Sequence, residues 1–254
     1  MSSLIANNLT LNIEERTLCE ALDLNLQPGE IWSVLGPNGS GKSTLLRTLA
    51  HLQLPSEGEL QLDGIPLVSI KRHELAQKVG VLFQEIQDPF PVTLFEQVLS
   101  GRYPHLSRWS KESTTDYAIA DQAIKAMGLE QLSTHLTHHL SGGERQRAAF
   151  ATVLAQQPDI YLLDEPLNHL DLPYQMRLLE KIRELSTQQH SILMVLHDPN
   201  IALRWSSHTL LLFGDGRWLA GPTDEVISAD NLSSLYRYPL IELNSPQGCY
   251  YIPQ

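Results

Sequence analysis

The sequence has 254 residues, of which 42% are hydrophobic and 19% are charged, so it can bury a core and is neither disordered nor fibrous. Its 29 acidic residues exceed its 18 lysines and arginines, and the net charge of −11 argues against broad binding to nucleic acids. The apolar runs are shorter than the ~20 residues of a membrane-spanning helix. We expect no secretory signal, and the two cysteines favour a reducing compartment, so a cytoplasmic protein is predicted.

Short strand-like runs alternate with helix-length segments along the chain, which predicts an α/β fold with a largely parallel sheet. The runs that predict strands are 9–13, 30–35, 59–62, 79–83, 160–163, 191–196 and 209–213. Helical periodicity is present at 43–51, 115–127 and 174–185. Strand patterns vanish between 88 and 139, which predicts a helical insertion. The glycines at 214 and 216, between two apolar runs, predict a hairpin turn.

Residues 36–43 read G-P-N-G-S-G-K-S and follow the pattern G-x-x-x-x-G-K-[ST] in full. An apolar strand is predicted before them and an apolar helix after them. The glycines let backbone N–H groups converge on phosphate oxygens at the start of that helix. Lys42 is expected to reach the β- and γ-phosphate oxygens, and the Ser43 hydroxyl is expected to bind Mg²⁺. The segment therefore predicts a nucleotide site rather than a glycine-rich turn that binds nothing.

A second candidate site follows a predicted buried strand, which ends in Asp164 and Glu165. Asp164 is placed to hold Mg²⁺, directly or through water, and Glu165 is left free to polarise an attacking water. Alone, this run predicts only a strand entering a turn, but together with the Lys42 loop it predicts a hydrolytic site. A GTPase fits less well because none of the lysines lies in an N-K-x-D motif for guanine.

Residues 140–146 read L-S-G-G-E-R-Q and precede an apolar helix from about 147 to 154. The start of that helix is a second anion site, which resembles the first but lacks a lysine. The chain thus carries two phosphate-binding helix starts about a hundred residues apart. The simplest explanation is that the two meet across a dimer, which a small-molecule kinase would not require.

The runs GPNGSGKST, LSGGERQR and YLLDEP together resemble the ATP-binding cassette (ABC) family of ATPases, and the resemblance extends from about residue 4 to residue 243. It implies a P-loop NTPase (RecA-like) core with a mostly parallel sheet, an N-terminal antiparallel β part and a helical subdomain. We expect a single ABC ATPase domain over residues 1–254. Within it, 1–87 and 140–254 are expected to form the core, and 88–139 the helical subdomain.

The resemblance also implies the roles of individual residues. Gln84 is expected to be the Q-loop glutamine that senses Mg²⁺ and the attacking water. Residues 168–171 resemble the D-loop, in which Asp171 lies at the dimer interface, and His197 resembles the histidine that contacts the γ-phosphate. Glu165, His197 and Gln84 are therefore the expected catalytic residues.

The expected cofactor is Mg²⁺ with ATP, and its expected ligands are Ser43, Gln84 and Asp164. The residues expected to bind the nucleotide within one subunit are Ile13, Gly36, Pro37, Asn38, Gly39, Ser40, Gly41, Lys42, Ser43 and Thr44. Those expected to bind it from the second subunit are Ser141, Gly142, Gly143 and Glu144.

One position departs from the family pattern. An aromatic residue usually stacks on adenine some thirty positions before the phosphate-binding lysine, where this chain has Ile13. An aliphatic side chain covers the ring but loses stacking worth about 1 kcal/mol. We therefore expect weaker nucleotide binding, and less discrimination between ATP and GTP, than in family members with the aromatic residue.

The run G-R-Y-P-H at 101–105 is similar to a stretch common in the ATPases of metal-chelate and vitamin importers. It implies uptake of an iron–siderophore, haem or cobalamin. The implied partners are a second ATPase subunit in a homodimer, transmembrane permease subunits docking near 84–105, and, indirectly, a periplasmic substrate-binding protein. We expect no nucleic-acid partner and a peripheral position on the cytoplasmic face of the cell membrane.

Three alternatives stay open on the sequence. One is a soluble ABC ATPase that acts as an assembly scaffold, for instance for iron–sulfur clusters. Another is the ATPase subunit of a different ABC transporter, an exporter included. The third is a regulator that binds ATP and hydrolyses it poorly, which the set Lys42, Asp164, Glu165 and His197 argues against.

Overall fold

A computed structural model describes residues 1–83, 91–107, 110–246 and 248–254, and it confirms the predicted α/β fold. The strands are β1 (Leu4–Ile13), β2 (Arg16–Leu26), β3 (Ile31–Leu35), β4 (Glu57–Leu62), β5 (Ile65–Pro66), β6 (Val79–Leu82), β7 (Ile160–Asp164), β8 (Ser191–Val195), β9 (His208–Leu212), β10 (Trp218–Pro222), β11 (Leu240–Ser245) and β12 (Gly248–Pro253). The helices are α1 (Lys42–Leu49), α2 (Arg72–Lys78), α3 (Leu94–Ser100), α4 (Thr114–Ala126), α5 (Gly142–Gln156), α6 (Leu172–Thr187), α7 (Pro199–Trp205), α8 (Thr223–Val226) and α9 (Ala229–Tyr236).

The central sheet has the strand order β10-β9-β3-β8-β7-β6. Its strands run parallel except β10, which pairs antiparallel with β9. All residues of β3, β7 and β8 are buried, as parallel strands covered on both faces require. The loops that follow the carboxyl ends of these three strands begin at Gly36, Glu165 and Leu196. The sheet therefore brings the predicted phosphate, carboxylate and histidine segments to one edge.

The N-terminal part forms an antiparallel sheet in the order β2-β1-β4-β5, in agreement with the expected antiparallel β part. The register pairs Ile13 with Arg16 at the tip of the β1–β2 hairpin. This sheet packs on the central one through an apolar cluster that includes Leu22, Val34 and Leu45. As a result, the tip of the hairpin is brought close to the loop after β3.

Most element predictions are confirmed, with ends that differ by no more than two residues. The turn between β9 and β10 is the predicted hairpin. Strand β1 begins at Leu4 rather than at residue 9, and α5 begins at Gly142 rather than at about 147. Strand β2 and the β11–β12 hairpin were not predicted. In β2, Leu22, Leu24 and Leu26 are buried and alternate with exposed polar residues, so a period-two signal was present and was overlooked.

Between 91 and 139 the described residues form helices and no strand. Helices α3 and α4 pack on α5 through side chains that include Val98, Ile124 and Phe150. Thr93 and Ser113 begin α3 and α4 with capping boxes, which fixes where each helix starts. The boundaries of a helical subdomain at 88–139 stay a prediction, and residues 88–90 lie outside the described residues.

Arg102, in the run similar to importer ATPases, forms a buried ion pair. Its Nε lies 2.9 Å from Asp116 Oδ1, and the two side chains are only 8% and 10% exposed. Its Nη1 also donates to the carbonyl of Ala155 at 2.7 Å, at the end of α5. Hydrogen bonds from Ser113, followed by the Arg102 guanidinium, lower the pKa of Asp116 from 3.8 to about 2. This carboxylate therefore stabilises the fold above about pH 4, and the contribution is lost as the pH falls towards 2.

The neighbours of Arg102 follow the same surface of α5. A Cβ atom on Gly101 would lie 2.2 Å from the carbonyl oxygen of Thr152, so only glycine allows this approach. His105 Nε2 lies 2.7 Å from the carbonyl oxygen of Gln156. The run therefore has a structural role, because it joins α3 and α4 to the end of α5.

We predict that Arg102→Ala lowers the free energy of unfolding by about 3–5 kcal/mol, because it leaves the Asp116 carboxylate buried without its cation. Denaturant unfolding followed by circular dichroism measures the loss. Lys125→Ala is the control, since it removes an ion pair with Asp121 whose side chains are 59% and 52% exposed, and a much smaller loss is expected because water screens an exposed ion pair. Equal losses in both variants would contradict the assignment of Arg102 as a buried structural cation.

Candidate active site

The loop at 36–43 connects β3 to α1 and depends on two glycines. Gly41 has a φ of +103°, in the left-handed region, and a Cβ atom there would lie 2.9 Å from Leu18. A Cβ atom on Gly36 would lie 2.4 Å from the carbonyl oxygen of Leu212, so the loop passes directly beside the end of β9. No side chain caps the N-terminus of α1. The N–H groups of its first turn therefore face the loop and are suited to an anion.

Lys42 lies under this loop with its side chain buried. Its Nζ donates to the carbonyl oxygens of Gly36 at 2.9 Å and Pro37 at 3.0 Å. Burial lowers the pKa of Lys42, and the nearby charges of Glu165 and Asp164 oppose that shift. The ammonium group is thus held between the phosphate loop and the two carboxylates.

Asp164 ends β7 and is buried beside the start of α1. Burial raises the pKa of its carboxyl, and a hydrogen bond from Ser43 lowers it in part. Its Oδ1 is buried and has no hydrogen-bond partner among the described residues. A buried carboxylate oxygen without a partner, next to a serine hydroxyl, fits the oxygen ligands that Mg²⁺ prefers. Asp164 and Ser43 therefore suit the predicted metal site.

Glu165 is held at both carboxylate oxygens. Its backbone has a φ of +50°, an uncommon left-handed conformation for a residue other than glycine. Nε2 of His197, in the loop after β8, lies 2.8 Å from Glu165 Oε1. The side-chain amide of Asn168 donates a hydrogen bond to Glu165 Oε2. The sequence predicted roles for Glu165 and His197, whereas the contact from Asn168 was not predicted.

A cavity of 350 Å³ brings most of the predicted nucleotide-binding residues together. Ile13, at the tip of the β1–β2 hairpin, is 47% exposed and lies at this cavity. The guanidinium of Arg16 holds the hairpin by donating twice to the carbonyl oxygen of Gly214, at 2.7 and 3.0 Å. The residues that line the cavity are Ile13, Asn38, Gly39, Gly41, Lys42, Ser43, Thr44, Glu165 and His197.

The predicted second anion site lies elsewhere on the chain. Ser141 caps α5 in a capping box with Glu144, whose backbone N–H donates to Ser141 Oγ at 3.3 Å and whose carboxylate accepts from the Ser141 N–H at 2.7 Å. The hydrogen bonds that the Ser141 N–H and hydroxyl donate to the carboxylate lower the pKa of Glu144. Ser141 and Gly142 are exposed. Among the described residues that line the 350 Å³ cavity, none belongs to 141–144.

Helix α5 nevertheless contacts the carboxylate segment from within the same chain. The side-chain amide of Gln146 donates to the carbonyl oxygens of Glu165 and Pro166, both at 3.3 Å. Gln146 belongs to the run at 140–146, but this contact was not predicted from the sequence. The contact ties the start of α5 to the backbone that carries Glu165.

The remaining predicted residues are placed as follows. Asp171 is exposed at the N-cap of α6, without a side-chain hydrogen bond to the helix. Ser40 is buried, and its Oγ has no hydrogen-bond partner among the described residues. Gln84 lies outside the residues that the structure describes. Its predicted role as catalytic residue and Mg²⁺ ligand therefore stays a prediction.

Comparisons with known proteins assign the family. The ABC transporter family profile matches residues 19–168. The ferric enterobactin transport ATP-binding protein FepC of Escherichia coli is 38% identical over 251 residues, which cover 97% of this chain and 91% of FepC. The chain belongs to the ABC transporter family of ATPases.

Solved structures agree with this assignment. The ABC ATPase superposes with a TM-score of 0.86 on a metal-chelate type ABC transporter in an inward-facing conformation, at 29% identity and over 100% of this chain and 97% of that one. It also matches a dimeric post-hydrolysis ATP-binding cassette, MJ0796, bound to ADP and phosphate, with a TM-score of 0.76, 29% identity and coverage of 87% and 98%. In the described part of the ABC ATPase, no helix is long and apolar enough to cross a membrane.

We predict that Ile13→Tyr increases the affinity of the ABC ATPase for ATP about fivefold, because an aromatic ring at the cavity adds stacking worth about 1 kcal/mol. The preference for ATP over GTP is also expected to rise. Isothermal titration calorimetry and hydrolysis rates with both nucleotides measure the change. Ile13→Val is the control and should match the wild type. No gain in affinity or selectivity would contradict the placement of Ile13 against the base.

Proposed function

We propose that this chain is the ATP-hydrolysing subunit of an importer for a metal chelate or vitamin of the iron–siderophore, haem or cobalamin type. The observation that carries the hydrolytic role is the pair Glu165–His197, 2.8 Å apart at the cavity that Lys42 also lines. Similarity to FepC over 97% of the chain supports the import role. The chain would lie peripherally on the inner face of the cell membrane, and hydrolysis would drive transport through permease subunits.

The catalytic unit is a head-to-tail homodimer. Each ATP lies between the Lys42 loop of one subunit and residues 141–144 of the other. Two observations support this arrangement: the capped start of α5 is exposed, and residues 141–144 do not line the cavity among its described residues. The exposed start of α5 directs its positive dipole end at the γ-phosphate, at a site that has no lysine of its own. Asp171, exposed at the N-cap of α6, lies at the subunit boundary.

Ser43 and Asp164 hold Mg²⁺, together with Gln84. Among the described residues, no group donates a hydrogen bond to the buried Oδ1 of Asp164, which supports this assignment, since a cation would offset the cost of burying that charge. When bound, Mg²⁺ neutralises negative charge that develops on the phosphate oxygens. Lys42, held against the same loop by its contacts with Gly36 and Pro37, contributes a second positive charge.

Glu165 orients and polarises the attacking water, and His197 contacts the γ-phosphate. The carboxylate is placed for this task by its backbone conformation and by the contacts from Asn168 and His197 to its two oxygens. Most of the rate enhancement comes from positioning and from fixed positive charge around the phosphate.

Glu165→Gln is predicted to lower kcat at least a hundredfold and to trap an ATP-bound dimer, since the amide is a poor base and the nucleotide contacts are unchanged. Phosphate release measures the rate, and light scattering on a sizing column with Mg²⁺ and ATP measures the dimer. Glu180→Gln, at an exposed position of α6, is the control. A Glu165→Gln variant with the wild-type rate would show that the base is assigned wrongly.

The composite site predicts rescue between two inactive variants. Lys42→Ala and Ser141→Arg each damage both sites of their own homodimer. Mixed in equal amounts, they form heterodimers with one intact site, and activity should recover to about a quarter of the wild-type rate if the sites act independently. The absence of recovery, with turnover first-order in enzyme at high dilution, would contradict a site shared between subunits.

The permease subunits dock near residues 84–105. A 370 Å³ apolar cavity is lined by residues that include Phe83, which directly precedes this segment in the sequence, and Leu52, and both side chains expose apolar surface. Tyr103, in the run after α3, is also exposed. Apolar side chains at the surface around a cavity are suited to a protein partner. A docked permease would lie against α2 and the end of β6. The substrate-binding protein would act through the permease.

A further inference from the structure

The β11–β12 hairpin at the C-terminal end pairs with neither of the larger sheets. Its outer face exposes Ile241, Leu243 and Ile252, so burial on that side does not explain how the hairpin is held. An isolated two-stranded hairpin is marginally stable in water. The inner face is attached through Tyr251, which is buried and whose hydroxyl donates to the carbonyl oxygen of Ile227 at 3.0 Å.

Two side chains of α7 contact this hairpin. Nη2 of Arg204 donates to the hydroxyl of Tyr250 at 2.6 Å, near the end of the helix, and Asn200 binds the backbone of β12 near its start. The amide nitrogen of Asn200 donates to the carbonyl oxygen of Tyr251 at 3.0 Å, and its amide oxygen accepts from the N–H of Tyr251 at 2.7 Å. Both backbone groups of one strand residue are thus bound by one asparagine, in the way that a neighbouring strand would bind them. These two hydrogen bonds constrain the distance and the orientation of β12 relative to the start of α7.

The segment between this contact and His197 is short and stiff. Asn200 is the second residue of α7 and lies three positions after His197. Asp198 caps the helix by accepting a hydrogen bond from the Asn200 N–H at 2.8 Å. Pro199 fixes its own φ angle at the first helical position. Any displacement of Asn200 is therefore transmitted to the backbone of His197.

A second, longer contact reaches His197 directly. The hydroxyl of Tyr236, at the end of α9, donates to the carbonyl oxygen of His197 at 3.3 Å. Burial and then the charge of Asp198 raise the pKa of Tyr236 to about 12, so the hydroxyl stays protonated and remains a donor. Helix α9 packs on β11, so this contact also starts from the C-terminal segment.

We propose that Asn200 is a positioning residue, through which the C-terminal hairpin holds the His197 loop in place for hydrolysis. The proposal rests on the proposed role of His197 in hydrolysis. The side chain of His197 is 47% exposed, so packing alone does not orient its ring, and its 2.8 Å contact with Glu165 depends on where its backbone lies. The loop at 36–43 does not depend on the contact between Asn200 and Tyr251. Loss of the contact between Asn200 and Tyr251 should therefore slow the chemical step and leave ATP binding unchanged.

The test compares Asn200→Ala with the wild type in the full chain. We expect kcat to fall about tenfold while KM and the Kd for ATP change less than twofold. Ser186→Ala is the control, because the Ser186 hydroxyl also donates to a backbone carbonyl, that of Gly29 at 2.6 Å, between elements that carry neither His197 nor the C-terminal hairpin. This control should lower the melting temperature without changing kcat.

A double-mutant cycle separates positioning from general destabilisation. In a His197→Ala background, Asn200→Ala should cause no further loss of kcat, because the group on which it acts is absent. An equal loss in both backgrounds, or a wild-type kcat for Asn200→Ala, would overturn the proposal while the role of His197 stands. His197→Ala at the wild-type rate would instead refute the proposed role of His197, and this inference with it.

If Asn200→Ala does not fold, Asn200→Asp decides the question. The aspartate keeps the acceptor for the Tyr251 N–H and loses the donor to its carbonyl oxygen. We expect a kcat between those of the wild type and His197→Ala, with an unchanged Kd for ATP. A wild-type kcat for Asn200→Asp, together with a reduced kcat for His197→Ala, would overturn the proposal.

Discussion

The register of three parallel strands determines where the chemistry of this protein takes place. Val195, the last residue of β8, pairs with Val34 of β3 on one side and with Asp164 of β7 on the other. The three strands therefore end at the same level, and the loops after them meet. A slip of one residue in either pairing would turn the side chains at the strand ends to the opposite face of the sheet. Lys42, Glu165 and His197 share one cavity because this pairing is in register.

The charges at this edge are arranged for a ligand rather than for stability. Burial lowers the pKa of Lys42 and raises that of Asp164, so the fold disfavours the charged form of each group. The mutual attraction of these charges offsets only part of that cost. Glu165 adds a left-handed backbone at the end of a buried strand. Buried charges and unfavourable backbone conformations of this kind are common at sites where a protein binds a ligand or catalyses a reaction.

The features that follow from hydrophobic pattern were predictable, and those that depend on single long-range hydrogen bonds were not. Fully buried strands such as β7 and β8 appear as continuous apolar runs, and the phosphate loop has its own spacing of glycines. The contact of Asn168 with Glu165 depends on a backbone angle that no propensity indicates. Arg102 belongs to the run at 101–105, which was interpreted as a sign of the membrane partner. Its guanidinium instead forms a buried ion pair inside the subunit. The C-terminal hairpin was missed because its apolar side chains are half exposed and it is attached through individual hydrogen bonds, such as those of Asn200 and Tyr251.

The residues proposed to contact the base and those proposed to contact the phosphates belong to different sheets. Ile13 lies on a hairpin of the antiparallel sheet, and Arg16 fixes that hairpin to the Gly214 turn, whereas the hydrolytic side chains follow strands of the parallel sheet. Evolution can therefore exchange residues at the hairpin tip, and with them the purine that is preferred, without disturbing the machinery for bond cleavage. Nucleotide preference should drift readily among related cassettes while their catalytic core stays the same.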